Sequence, residues 1–237
     1  MADKKIEKAL YGPSLAEVAL GALLGLLAGV AAACVYLVFK PVQQVKELPK
    51  EPSRAVVYYL PGSESTAKSR GWQAKEKQLV GVASISVVED ELNAWAAASL
   101  GAPAAAAKPK PAGQAGAKGD AASPAVPEGF VIPGKPNFRI VGDKLQIGLK
   151  CTLNWYGFTH ETTVIATGIF RKSGDAFEFS PDTLYLGSCP LHLVPAASGF
   201  LVSTITGKQK VTDELRVALT KLTAVTIEGG ALKLAVQ

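Results

Sequence analysis

From Val18 to Phe39 the chain carries no charged residue, 22 positions in a row. At about 1.5 Å of rise per residue such a stretch makes a helix about 33 Å long, enough to cross the hydrocarbon core of a bilayer. Apolar residues occupy every face rather than one stripe, so a single protein surface could not cover them. The run also exceeds the about 7–15 apolar residues of a cleavable signal. Ala31-Ala32-Ala33-Cys34 has the outline of a lipoprotein cleavage site, but the large aliphatic residue expected three places before the cysteine is missing. Val35–Phe39 then continues apolar. The expectation is an uncleaved membrane helix over 15–39, ending at an interface marked by Tyr36, Phe39, Lys40 and Pro41.

Inside that helix Gly21, Gly25, Gly29 and Ala33 recur every fourth residue. Small residues at this spacing let two membrane helices approach closely, so they are candidates for packing against a second copy or a partner. The Ala- and Gly-rich composition of the segment would also produce the row. Lys4, Lys5 and Lys8 precede the run and Lys40, Lys46, Lys50 and Arg54 follow it, so positive charge does not set orientation. Only the 14 residues 1–14 precede the helix, too few for a domain. The expectation is a single-pass signal anchor in the cell membrane, with a short cytoplasmic N-terminus and the bulk of the chain outside the cytoplasm.

The net charge of +5 is spread thinly along the chain. No segment concentrates it into a basic stripe, which argues against nucleic acid as a partner and leaves the lipid bilayer as the expected one.

Beyond the anchor, residues 40–62 are rich in proline and charge and read as a juxtamembrane tether. Residues 63–100 read as helix, strand and helix. A helix capped near Ser63-Glu64-Ser65-Thr66 runs to about Leu79, alternation over 79–87 suggests a strand, and Glu89-Asp90-Glu91 opens a second helix whose dipole suits carboxylates. Residues 101–129 are Ala-, Pro-, Gly- and Lys-rich and are expected to be a disordered insertion, because they bury too little to offset the ordering entropy.

Residues 130–237 carry the clearest pattern. From Leu145 to Trp155 every odd position is apolar and every even one polar or glycine, which predicts a long strand with one dry face. Leu145, Ile147, Leu149, Leu153 and Trp155 are the residues expected to face an apolar groove. Further strands are expected over 161–171 and 177–186, joined by the turn at 172–175. Helices are expected at 194–205 and 213–222, the second with Leu215, Leu219 and Leu222 on one stripe. A hairpin around Gly229-Gly230 closes the chain. The fold class expected is α+β: a long, curved antiparallel sheet packed on a few helices.

The order of these parts, with EDELNAW opening a helix, long amphipathic strands, the bend CPLHLVP and the closing LTAVTIEGGALKLAV, resembles bacterial membrane-anchored proteins with tubular lipid-binding (BPI-like) domains. The matching positions are Leu92 and Asn93 and the bend at Pro190–Pro195. The resemblance implies a sheet wrapped on a helix around a lipid-sized apolar groove, with no catalytic group.

Reactive chemistry is sparse. Cys151 and Cys189 are candidates for a disulfide if the domain is exported, the alternative being two buried free thiols. No metal-ligand spacing occurs. The two histidines, His160 and His192, sit in structural contexts, and no nucleophile elbow, phosphate loop or zinc-protease motif is present. The chain is expected to be non-enzymatic and without a cofactor. The reading is an envelope protein that binds a lipid or acyl chain, with a scaffold subunit lacking a ligand as the alternative.

Overall fold

A computed structural model describes residues 13–53, 55–65, 68–100, 131–155, 158–174, 176–194, 199, 201–202 and 213–236. Those residues form an α+β fold with four α-helices and a large antiparallel sheet. The expected insertion at 101–129 and most of the expected helix at 194–205 lie outside the described residues.

Helix α1 (Leu15–Phe39) is the apolar run. Ser14 and Glu17 form a capping box at its start: the Glu17 amide donates to Ser14 Oγ at 3.3 Å and the Ser14 amide to Glu17 Oε2 at 3.2 Å. It is long and apolar enough to cross a membrane, and none of its residues is fully buried, although Cys34, Leu37 and Val38 near its end are half-buried.

Within 40–62, the stretch expected to be a tether, residues 46–53 are exposed, the segment pairs with itself, and residues 59–62 pack against the sheet. Strands β1 (Gln43–Gln44) and β2 (Tyr58–Tyr59) pair in parallel, and Lys40 Nζ donates to the Ala55 carbonyl at 2.8 Å. Tyr59 lies over Gly148, where any Cβ would collide with its ring. Its hydroxyl donates to Asn137 Oδ1 at 3.1 Å, and burial, with Glu64 nearby, pushes the phenol up to about 12.

Helices α2 (Trp72–Val80) and α3 (Glu89–Ser99) flank strand β3 (Ile85–Val88). The large sheet runs in the order β4-β5-β6-β7-β8: β4 (Val131–Val141), β5 (Lys144–Trp155), β6 (Phe158–Ser173), β7 (Ala176–Leu186) and β8 (Cys189–Pro190). All its pairings are antiparallel, and the register shifts between Pro133 and Pro136 and between Thr167 and Gly168. Strand β4 holds two prolines because it is an edge strand, where a missing N–H costs no ladder bond. Helix α4 (Asp213–Thr220) leads into the hairpin of β9 (Leu222–Glu228) and β10 (Ala231–Val236). That hairpin joins β3 in a second, three-stranded sheet rather than extending the first.

Two apolar clusters result. One packs Leu149, Cys151, Leu153, Val164 and Leu184 of the large sheet with Leu201, and Val38 of α1 joins it. The other gathers Leu79, Leu215, Ala218 and Leu222 between helices and the small sheet.

Candidate functional site

Between the dry face of the large sheet and the helices lies a cavity of about 320 Å³. The sheet contributes Phe138, Leu145, Ile147, Phe170, Phe177 and Phe179. Opposite them stand one face each of α2 (Trp72 and Leu79), α3 (Leu92 and Trp95) and α4 (Leu215 and Leu219), with side chains of the small sheet closing the space. Spacings of seven, three and four residues put each helical pair on one side of its helix. The wall is apolar except for Lys75, Glu76 and Glu91, and each of these has a partner. Lys75 Nζ donates to Glu91 Oε2 and to the Ser86 carbonyl, both at 2.6 Å, and Trp95 Nε1 donates to Glu76 Oε1 at 3.1 Å. Paired this way, the polar groups on the wall leave an apolar ligand little competition from water.

Leu92 and Asn93 point to different tasks. Leu92 lines the cavity, while Asn93 is 1% exposed and closes the free edge of β4. The Phe138 amide donates to Asn93 Oδ1 at 2.6 Å, and Asn93 Nδ2 donates to the carbonyls of Phe138 at 2.8 Å and Ser63 at 2.9 Å. Glu89 Oε2 accepts from the Ile140 amide at 2.9 Å, and Asp90 Oδ1 accepts from Ser63 Oγ at 2.7 Å and the Ser65 amide at 2.6 Å. Side chains of α3 thus stand where a sixth strand would pair, which prevents edge-to-edge association. Gly62 is required here, because a Cβ would overlap the Phe138 carbonyl.

The five residues expected on a groove divide. Leu145 and Ile147 line the cavity, whereas Leu149 and Leu153 sit in the closed core further along the same face. Trp155 pairs with Phe158 at the end of the β5–β6 ladder. Sequence reasoning did not single out Phe138, Phe170, Phe177 and Phe179 as lining residues. Their signal was the recurrence of large aromatics on three different strands.

Cys151 and Cys189 are not joined; both are buried free thiols. Their strands are three places apart in the sheet, about 14 Å by strand spacing, beyond the about 7 Å that a disulfide tolerates. Burial pushes the Cys151 thiol up to about 12. Cys189 rises to about 11 through burial and the adjacent Cys34 thiol of α1. Gly21, Gly25 and Gly29 face open space on α1. His160 packs its ring on Phe39, with centroids 4.6 Å apart, and His192 Nδ1 lies 3.2 Å from the Leu184 carbonyl oxygen. Among the described residues no group of three His, Cys, Asp or Glu could hold a metal ion.

The end of α1 is clamped by the sheet. The Ser188 amide donates to the Leu37 carbonyl at 2.9 Å, Thr162 Oγ1 to Val38 O at 3.4 Å and Ser188 Oγ to Lys40 O at 3.2 Å. Carbonyls that a helix C-terminus leaves unpaired are therefore capped by the domain.

No protein-family model matches the chain, and neither a curated protein nor a solved structure matches it.

Proposed function

We propose that this chain is a membrane-anchored, non-enzymatic protein that holds a single acyl chain in the cavity between its two sheets. The observation that carries the reading is the cavity itself: about 320 Å³ of open space walled by phenylalanine, leucine and tryptophan. A methylene takes up about as much room as a water molecule, about 30 Å³, so the space suits about ten methylenes. At about 0.8 kcal/mol per buried methylene the gross gain is about 8 kcal/mol, which after ordering costs supports affinity no tighter than about micromolar. A scaffold without a ligand would be expected to fill this volume with its own side chains. Bulges at Pro133–Pro136 and Thr167–Gly168 favour a large sheet that bends around the ligand.

The anchor reading rests on α1. Eleven of its large apolar or aromatic side chains are 49–89% exposed. At about 1.5–3 kcal/mol per side chain, leaving them in water would cost on the order of 20 kcal/mol, which a bilayer removes. We place the domain outside the cytoplasm, on the envelope side of the membrane, as a signal-anchor reading of α1 implies.

The test uses the full chain in nanodiscs and a dansyl-labelled undecanoic acid. Trp72 and Trp95, on the cavity wall, serve as energy-transfer donors. Saturable transfer with a micromolar midpoint is expected, abolished by Ile147→Trp, which fills the space, and retained by Val141→Trp at the far turn. Transfer that does not saturate, or that Ile147→Trp leaves unchanged, would overturn the reading.

A further inference from the structure

Phe158, the first residue of β6, is 81% exposed, more than any other large apolar side chain outside α1 among the described residues. It stands at the tip of the β5–β6 hairpin, across from Trp155. Two residues further on, His160 packs against Phe39, so Phe158 lies about 7 Å along the strand from the end of α1. Two more aromatic side chains are uncovered at that end of α1: Tyr36 is 69% exposed and Phe39 49%.

The relative position of hairpin and helix is held by several bonds. Thr162 and Ser188 cap the carbonyls of Leu37, Val38 and Lys40, and half-buried Val38 packs against the core of the large sheet. Gly187, at φ +57°, allows this approach, since a Cβ there would overlap the Val38 carbonyl. The hairpin tip is therefore carried at the level of the helix end.

From this geometry we infer that the β5–β6 hairpin tip is a second membrane contact, with Phe158 seated in the lipid interface beside Tyr36 and Phe39. The inference rests on α1 crossing the bilayer. Aromatic side chains favour the headgroup level, where ring and polar surroundings are both accommodated. A Phe left in water forgoes that burial, and no described part of the chain covers it. The occupant is a lipid surface rather than a protein groove, because the aromatics surround the point at which an apolar helix leaves the domain. A helix and a hairpin tip together would fix the tilt of the domain, which one helix on a loose tether could not do.

The test places a photo-crosslinking benzoylphenylalanine at 158 in the full chain, reconstituted in phosphatidylcholine–phosphatidylglycerol vesicles. Position 24, in the middle of α1, reports on the anchor. Position 141, half-exposed at the end of β4 and paired with Lys144 at the far end of β5 from the hairpin tip, is the control on the same sheet. Lipid adducts at 24 and 158 and none at 141 are expected. Lipid adducts at 24 with none at 158, or adducts at 158 to protein instead of lipid, would overturn the hairpin contact and leave the anchor standing. No lipid adduct at 24 would overturn the anchor and the hairpin contact together.

Discussion

Replacing Asn93 with alanine should cost about 3–4 kcal/mol of stability, and the figure follows from three bonds. The Asn93 side chain accepts from the Phe138 amide and donates to the carbonyls of Phe138 and Ser63, all between 2.6 and 2.9 Å. A hydrogen bond of this kind contributes about 0.5–1.5 kcal/mol net, and a buried partner left without one adds about 1–3 kcal/mol. Phe138 is only half-buried on the sheet edge, so water recovers part of that penalty and the upper end of the sum is not reached. With a urea slope of about 2 kcal/mol per molar, the unfolding midpoint should fall by about 1.5–2 M. The assay is urea unfolding of the full chain in detergent micelles, followed by tryptophan fluorescence. Amide exchange locates the damage: Phe138 should lose protection, while Ile140, whose amide is held by Glu89, should retain it. A midpoint shift equivalent to under about 0.5 kcal/mol, or equal loss of protection at both amides, would refute the edge-closing role of Asn93.

Gly187→Ala should destabilise more than Gly229→Ala. Both sites have φ near +60°, which costs alanine about 1–2 kcal/mol, but only at 187 would the new methyl strike the Val38 carbonyl. Equal unfolding midpoints for the two variants would count against the clamp on α1. Cys151, held up near 12 by burial, should resist iodoacetamide at pH 8.5 in the folded chain and react once urea is added. Because its folded pKa lies above the unfolded value, its contribution is complete below about pH 8.5–9. Between there and pH 12 it should be lost at about 1.4 kcal/mol per pH unit, a slope that Cys151→Ala should flatten. A wild-type stability constant from pH 8 to 10.5 would contradict this.

Much of the fold was legible in the sequence where one period dominates. Strand β5 runs over Lys144–Trp155, almost the span its alternation predicts, and the terminal hairpin turns at Gly229-Gly230 as expected. The apolar run of α1 needed only its length. Strand β4 was hidden by Pro133, Gly134 and Pro136, which normally break a strand and are tolerated here by the edge position. The docking of residues 59–62 was hidden because it depends on Gly62 and Gly148, whose missing side chains make room for the Phe138 carbonyl and the Tyr59 ring. The dry face of β5 was readable, but not its division. Leu145 and Ile147 differ from Leu149 and Leu153 only in what the rest of the chain lays over them. The Leu92-Asn93 pair stood out in the sequence, yet its two roles separate only once α3 is seen to lie between cavity and sheet edge.

If the cavity holds an acyl chain, the protein should carry lipid with it from its own membrane. The full chain, purified in mild detergent and washed, is extracted with organic solvent and the extract quantified by mass spectrometry beside that of Ile147→Trp. About one acyl chain per protein, with a chain length near ten carbons, is expected from the wild type and none from the variant. Equal lipid in both extracts, or none in either, would contradict an acyl chain in the cavity.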